Sequence, residues 1–200
     1  MRRYLCSLMA LGLFLGMTGQ AKAQPTYSFT TLDVPGASRS NTAANGINAS
    51  GQIVGWYDDA AGTHGFLLDQ GSYTTLDVRG AHWTQASGIN DAGQMVGSYG
   101  DAGGNYHGFL LDQGSYTTLD VPGATWTIAK GINDSGQIVG FYVDGTSGHG
   151  FLLAQGSYTT FDVPGATWTV ANGINASGQI VGWYWDASGG QHGFLATPVP

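Results

Sequence analysis

One segment of about 42 residues is repeated four times along this chain. The tripeptide Gly-Ile-Asn recurs at spacings of 42, 43 and 42 residues, beginning at Gly46, Gly88, Gly131 and Gly173. The tripeptide His-Gly-Phe recurs at spacings of 43, 42 and 43 residues, beginning at His64, His107, His149 and His192. A fixed period of this length is typical of proteins in which one supersecondary unit is repeated and each copy packs on the next.

Each copy has the pattern of four short β-strands. Toward the C-terminus, strands are predicted over Trp168–Ile174, Gln179–Trp185 and His192–Ala196, and Ser157–Val163 shows the fourth strand of a unit. Asn-x-x-Gly and Gln-Gly-Ser segments between the strands favour tight hairpin turns. The 34 glycines and the 10% content of charged residues also favour strands and turns over long helices.

Four-stranded antiparallel units at this period are typical of propeller blades. The chain begins with a fourth strand, Tyr27–Val34, and ends with a third strand, so the two ends complement each other. We therefore predict an all-β, four-bladed, β-propeller-like ring of four antiparallel repeats. In this prediction the ring closes when the N-terminal strand pairs with the C-terminal blade. A β-prism or a solenoid with the same spacing is the alternative.

The first 23 residues predict a secretory signal peptide. Two arginines precede an apolar run, and Ala21-Lys22-Ala23 matches a signal-peptidase site. Residues 24–200 are then a single repeat domain, exported to the periplasm or the cell exterior, with no membrane insertion of the mature chain. The only cysteine, Cys6, lies in the signal, so the domain is expected to contain no disulfide.

The predicted domain is strongly acidic. It has 13 Asp and no Glu against three cations, which gives a net charge of −10 with histidine neutral; the cations are Arg39, Arg79 and Lys130. Phosphate binding relies on Lys and Arg, so nucleic acid is not an expected partner.

The repeated motifs also carry a resemblance. Gly-Ile-Asn-Asp-Ser-Gly-Gln-Ile-Val-Gly-Phe-Tyr, residues 131–142, followed by His-Gly-Phe-Leu-Leu, resembles the HAF family of bacterial extracellular repeat proteins. The resemblance covers residues 24–200, although the family's His-Ala-Phe stands here as His-Gly-Phe. It implies an exported bacterial protein and brings no established reaction or ligand. Some relatives end in an anchored Val-Pro-Glu-Pro tail, whereas this sequence stops at a similar Thr-Pro-Val-Pro.

Loops at one end of the predicted blades differ between copies, and this end is the candidate binding site because binding residues concentrate on loops held by a rigid scaffold. Its aromatic residues could stack on sugar rings, while its polar residues bond hydroxyl groups. The candidate residues are Trp83, Trp126, Trp168, Trp183, Trp185, Asp58, Asp101, Asp144, Asp186, Asn172 and Lys130. Alternatively, the Trp rings fill gaps between blades and the Asp residues only form turns.

The four repeated histidines are interpreted as structural. His64, His107, His149 and His192 begin the third strands of separate blades, so they should lie too far apart to share one metal ion. No metal or other cofactor is expected, apart from the possibility of a structural Ca²⁺ in the central channel. We identify no catalytic residues, because no familiar catalytic motif is present.

The sequence thus predicts a secreted, non-catalytic binding or adhesion module. The expected partner is a carbohydrate, an envelope polysaccharide or another cell-envelope component bound at inter-blade loops. The main alternative is a structural or protein-interaction repeat protein without a small ligand, and a hydrolase or lyase is a minor one. The oligomeric state stays open, including two chains that form an eight-bladed ring.

Overall fold

A computed structural model describes residues 26–38, 41–145 and 147–199. The predicted signal peptide, residues 1–23, lies outside these ranges. Residues 32–200 include one compact body, which follows a separate N-terminal segment that ends at Thr31. Within the described ranges there is no α-helix, and so no helix of the length and apolarity that a membrane span requires.

The compact body contains 15 β-strands in four repeat units, here called units 1 to 4. Unit 1 contains β1 (Thr42–Ile47), β2 (Ile53–Asp58), β3 (Thr63–Asp69) and β4 (Ser72–Leu76). Unit 2 contains β5 (Trp83–Ile89), β6 (Met95–Gly100), β7 (Tyr106–Asp112) and β8 (Ser115–Leu119). Unit 3 contains β9 (Trp126–Ile132), β10 (Ile138–Val143), β11 (Gly148–Ala154) and β12 (Ser157–Phe161). Unit 4 contains β13 (Trp168–Ile174), β14 (Ile180–Trp185) and β15 (Gln191–Ala196).

Consecutive strands of a unit pair antiparallel, as the alternating pattern and the turns predict. The turn between β3 and β4 shows the local cause: Gln70 and Gly71 have φ values of 48° and 81°. Two positive φ values in a two-residue loop give a type I′ turn, whose twist matches that of the flanking strands. Two parallel residue pairs join the third strand of one unit to the first strand of the next: Tyr106 with Trp126 and Gly148 with Trp168.

The units stack face to face, and the core lies between them. We call the face directed toward the preceding unit the leading face and the opposite one the trailing face. The trailing face of unit 1 packs Val54 and Leu76 against the leading face of unit 2, which includes Ala86, Ile89 and Phe109. Equivalent clusters join unit 2 to unit 3 and unit 3 to unit 4.

A hydrogen bond repeats at each of these junctions. The Asn48 side chain donates to the backbone carbonyl of Asn90 at 3.1 Å, and Asn90 donates in the same way to Asn133 at 3.1 Å. Asn133 then donates to Asn175 at 3.0 Å. The Asn of the Gly-Ile-Asn motif thus joins each unit to the next, while its Oδ1 accepts from the backbone within its own turn.

Closure of the ring through an N-terminal strand is not confirmed. Residues 27–34, the predicted sixteenth strand, form no strand, and β15 pairs only with β14 among the strands of the described ranges. First strands of neighbouring units pack against each other, but no comparable packing joins β13 to β1. The described strands form a four-stranded sheet, β1 to β4, and an 11-stranded sheet, and this arrangement remains open and curls into half of a barrel.

Candidate functional site

A bulge in the first strand of each unit directs one side chain toward the concave side of the sheet. In β1 the register shifts between Ala44 and Gly46, and β5, β9 and β13 shift at the equivalent place. A bulge adds one residue to a strand and reorients its side chain. The four bulge residues are Asn45, Ser87, Lys130 and Asn172. Together with Trp56 and Gln85, they line a cavity of about 340 Å³, here called the polar cavity.

A second cavity, of about 350 Å³, adjoins the polar cavity, because Gln85 and Lys130 line both. We call it the aromatic cavity. Its other lining residues are Trp83, Ser98, Tyr106, Trp126, Ile128, Phe141 and Trp168. It therefore presents aromatic walls with a few polar groups, a composition typical of small-molecule sites.

Neighbouring rings hold the Trp side chains in place. Tyr106 lies edge-on to Trp83 and stacks on Trp126, with centroid separations of 5.0 Å and 4.9 Å. Trp126 nevertheless remains 42% exposed. Trp185 is also 42% exposed, and its ring centroid lies 6.0 Å from that of Trp168. The predicted Trp residues thus form a partly exposed row along the first and second strands rather than lying in the inter-blade loops.

Packing is a second role of the same rings. A side-chain Cβ at Gly100 would collide with the indole of Trp83, and one at Gly148 would collide with that of Trp168. Both glycines therefore make room for a Trp. Trp183 contacts Trp185 at a centroid separation of 5.6 Å and does not line the aromatic cavity. The two interpretations of the Trp residues, packing and ligand contact, both agree with this geometry.

Grooves between units flank the aromatic cavity. One of about 360 Å³ lies between units 2 and 3, and Tyr106 and Trp126 form the wall that it shares with the aromatic cavity. A similar groove of about 250 Å³ lies between units 1 and 2, and Trp83 lines it. Each groove also contains a His–Asp pair, His107 with Asp120 in one and His64 with Asp77 in the other.

Each of the first three repeated histidines lies between two aspartates. The Nδ1 atom of His64 is 2.9 Å from Asp77, and its Nε2 atom is 3.2 Å from Asp59. Two further histidines have the same arrangement: His107 lies between Asp120 and Asp101, and His149 between Asp162 and Asp144. In unit 4, His192 keeps only the loop aspartate, Asp186, at 3.0 Å. This pairing ties the third strand to the loop before it and to the end of the fourth strand.

The two carboxylates beside each ring raise the pKa of His64, His107 and His149. For His64 and His107, burial lowers the pKa, but hydrogen bonds and charges from both aspartates outweigh it. For His149, the hydrogen bond to Asp162 is the largest cause of the increase. Among the aspartates of these pairs, Asp101 accepts hydrogen bonds from Asn105, and these are the main reason why its pKa falls to about 2.

Stability is expected to fall as the pH rises from 6 through the raised histidine pKa values. A group whose pKa is higher in the folded state than its usual 6.5 stabilises the fold while protonated and loses that contribution above its folded pKa. Solvent screens these exposed pairs, so the effect is small and we expect a decrease of a few °C in Tm. Thermal melts at pH 6 and pH 8.5 measure it.

The variant Asp120→Asn should reduce this pH dependence, because it removes a carboxylate from His107. Asp112→Asn is the matched control, since Asp112 accepts a hydrogen bond from Gln94 and pairs with no histidine. A Tm that rises between pH 6 and pH 8.5, or equal slopes in the two variants, would contradict the assignment.

The structure places the predicted loop aspartates in their own turns. Asp101 accepts from the backbone of Gly103 and Asn105 at 2.8 and 2.9 Å. Asp186 accepts similarly from Ser188 and Gly190. In unit 1, Asp59 takes this role, while Asp58 accepts from Thr63 and from the Asn41 side chain. Neither Asp58, Asp101, Asp144 nor Asp186 lines the aromatic or the polar cavity.

Lys130 and Asn172 do line the polar cavity, and Lys130 also lines the aromatic one. Burial lowers the pKa of the Lys130 amine. Every ion pair in the described ranges joins a histidine to an aspartate, so no described carboxylate pairs with Lys130. Its N–H groups can therefore donate hydrogen bonds to a molecule in either cavity.

No group of three or more His, Cys, Asp or Glu side chains suited to a metal ion occurs in the ranges that the structure describes. The possible Ca²⁺ in the central channel stays a prediction. It would depend on backbone carbonyl oxygens, which are suitable ligands for this ion.

Several cavity residues are not among the candidates predicted from the sequence. Tyr106 and Phe141 extend the aromatic walls, and Gln85 joins the two cavities. Aligned copies contain a signal for Tyr106, because Thr63 and Gly148 stand at its position in units 1 and 3. Gln191 occupies this position in unit 4, so Tyr106 is the one aromatic residue among the four copies, which indicates a feature outside the repeat.

No family model matches the chain, and no curated protein matches it significantly. Among solved structures, TolB from Acinetobacter baumannii is similar, with 14% identity, a TM-score of 0.64 and coverage of 78% of this chain and 41% of that chain. A mutant Aleuria aurantia lectin in complex with Fucα1-6GlcNAc matches with 13% identity, a TM-score of 0.45 and coverage of 78% and 57%. The chain thus spans less than two thirds of either protein. The likeness to TolB, a β-propeller, shows that this is an all-β protein with a β-propeller-like fold.

Proposed function

We propose that this protein is an exported, non-catalytic module that binds carbohydrate in the aromatic cavity, against the rings of Trp83, Trp126 and Trp168. The proposal rests mainly on the packing and exposure of the Trp126 ring. Its ring is fixed by stacking on Tyr106 at 4.9 Å, yet 42% of the residue stays exposed beside a cavity. An aromatic face that is both rigid and accessible offers contact area at a small entropic cost.

The polar groups around these rings suit a sugar. A sugar ring has apolar C–H faces and a rim of hydroxyl groups, so it needs a flat apolar wall and separate donors and acceptors. Trp83, Trp126 and Trp168 supply the wall, while Gln85 and Ser98 can donate to and accept from hydroxyl groups. Lys130 adds only donors.

The charge of the chain favours an uncharged glycan over a polyanion. Residues 24–200 contain 13 Asp against three Lys and Arg, and such a surface repels anionic polymers. One lysine near the cavities does not reverse this long-range repulsion. We therefore expect a neutral polysaccharide, as found in many envelopes and extracellular matrices, rather than an acidic one.

Repetition of the grooves favours a polymer over a free monosaccharide. The groove between units 1 and 2 and the one between units 2 and 3 have equivalent linings, each with a Trp wall and a His–Asp pair. Several weak sites on one rigid body gain affinity when successive residues of a repeating ligand occupy them. Adhesion to an envelope polysaccharide would use this gain.

The test begins with the full chain, incubated with a panel of neutral and acidic polysaccharides. For the polysaccharide that binds, Trp126→Ala should weaken binding by about 10- to 100-fold, the usual effect of removing a central aromatic contact. Trp185→Ala is the matched control, because this residue has the same 42% exposure but does not line the aromatic cavity. Isothermal titration calorimetry measures both.

Two results would overturn the proposal: folded protein that binds no member of the panel, or Trp126→Ala that binds as tightly as the parent. The second result would favour the structural alternative, which the close packing of Trp83 on Gly100 supports. In that case the Trp variants would lower Tm without changing any ligand affinity.

A further inference from the structure

The two ends of the stack of units differ from its interior. Val54, Val96 and Val139 occupy one position on the trailing faces of units 1, 2 and 3, and each is 0% exposed. At the same position of unit 4, Val181 is 49% exposed, and Leu195 on the same face is 64% exposed. The trailing face of unit 4 therefore has the residues of a packed face but no partner among the described residues.

The leading face of unit 1 is open along β1, whereas Val34 and Ala37 pack on the same face around Phe66, which is fully buried. Ile47 is 67% exposed, whereas its equivalents Ile89 and Ile132 are 7% and 9% exposed. Ala44 is exposed, although Ala86 at the same position of unit 2 is fully buried. A depression of about 280 Å³ marks this surface; its lining residues are Ala44, Asn45, Gly46, Ile47 and Ile53.

The glycines of the first strands also show that a neighbouring unit can pack closely at each end of the stack. A Cβ added to Gly46, Gly88 or Gly131 would lie 3.1–3.5 Å from the Cα atom of the equivalent glycine in the next unit. These glycines allow adjacent first strands to approach closely. A Cβ on Gly173, the last of the series, would meet only a methyl group of Val181, at 3.6 Å.

The hydrogen bonds of the Gly-Ile-Asn asparagines also distinguish the ends of the stack from the junctions between units. The side-chain amides of Asn48, Asn90 and Asn133 each donate to the next unit. Within the described ranges, the amide of Asn175 donates only to Gln179 in its own turn. At the other end, the backbone carbonyl of Asn48 accepts from no equivalent asparagine among those residues. A donor and its matching acceptor thus stand at opposite ends of the chain.

We propose that a second copy of this chain packs its unit 1 leading face on the trailing face of unit 4. This head-to-tail contact continues the interface that already occurs three times within the chain, with Val181 taking the place of Val54 and Ile47 that of Ile89. The contact is apolar, so no charge must be desolvated. It concerns the ends of the stack rather than the cavities, so it does not depend on the proposed function.

The curl of the sheet favours a second copy over closure within one chain. First strands pack in the order β1, β5, β9, β13, and no comparable packing returns from β13 to β1. A head-to-tail contact generates a ring when its rotation closes. Because four units curl into half of a barrel, two copies complete one turn, and we expect a closed dimer.

The test is the mass of the full-length protein in solution, measured by size-exclusion chromatography with light scattering. We expect twice the mass of one chain. Ile47→Asp and Val181→Asp should each prevent closure of the ring and yield mainly monomer, since either change buries a carboxylate in the contact. Both residues are at least 49% exposed within the chain, so both variants should fold, which circular dichroism checks. Val199→Asp is the control, because Val199 is 88% exposed and lies outside both faces.

A mixing experiment separates the head-to-tail contact from other modes of association. Ile47→Asp retains an intact trailing face, and Val181→Asp retains an intact leading face. Mixed together, they should form a dimer through the one contact that lacks both substitutions, although neither dimerises alone. A monomeric parent protein would overturn the proposal. If both substitutions also lower the Tm of that monomer, the two faces meet within one chain instead. Unchanged mass in both variants, or no dimer in the mixture, would also overturn the proposal.

Discussion

Replacement of Phe109 by alanine is expected to lower the free energy of unfolding by about 3–5 kcal/mol, the usual cost of removing a fully buried aromatic side chain. Phe109 is 0% exposed and lies between unit 1 and unit 2, in contact with Val54 and Leu76. Tyr116 covers it edge-on, with a centroid separation of 5.4 Å. The rigid strands around the ring cannot collapse into the space, so a cavity remains.

Phe194 provides a matched control, because it occupies the same His-Gly-Phe position in unit 4. It is only partly buried, since among the described residues no fourth strand of unit 4 places a Tyr ring over it. We expect Phe194→Ala to cost less than half as much. Urea denaturation measures both variants, and the Tm should fall by about 2–4 °C for each kcal/mol lost. Equal losses at the two positions would contradict the stacking described here.

The strands could be predicted because their causes are local. The predicted range Trp168–Ile174 coincides with β13, and the ranges predicted for β14 and β15 differ from the observed ones by one residue. Alternating apolar residues and Gly-containing turns act over a few residues, so each copy carries the full signal. The fourth strand ends earlier than predicted, at Phe161 rather than Val163, because Asp162 turns toward His149.

Closure depends on causes that are not local. Whether four units complete a ring is decided by the angle between successive units, which sums small differences in packing at three interfaces. The complementary motifs at the two ends are equally compatible with closure on the same chain and with a contact to another copy. The exposure of Ile47 and Val181 distinguishes these cases only once the coordinates of all four units are known.

The site was predictable in part, and the bulges explain the limit. Lys130 and Asn172 could be placed beside the inner glycines, since they vary between copies at a fixed distance from Gly-Ile-Asn. A bulge changes which side chains point to the concave side, so simple alternation gives no reliable position for Gln85. Asp59 rather than Asp58 lies beside His64 because β2 extends to Asp58, so Asp59 is the first residue of its loop, as Asp101, Asp144 and Asp186 are of theirs.

Replacement of Gly97 by alanine is the second substitution with a large expected effect. A Cβ there would lie well inside the contact distance of the Gln85 carbonyl oxygen and 2.8 Å from the ring of Phe109. Neither neighbour can move freely, because Gln85 belongs to the β5–β6 ladder and Phe109 to the closed core. We expect a loss of about 3 kcal/mol or more, at the upper end of the range for overpacking.

Gly193→Ala separates this clash from the general effect of a Gly-to-Ala change in a strand. Its nearest non-adjacent atom would be the Gly182 carbonyl oxygen at 3.8 Å, and the residue is exposed, so we expect a change within about 0.5 kcal/mol. Urea denaturation of both variants should show a lower midpoint and an unchanged slope for Gly97→Ala. If Gly97→Ala is as stable as the parent, the bulged register of β5 against β6 is wrong. The same bulge places Ser87 in the polar cavity, so this stability measurement also tests how the site is built.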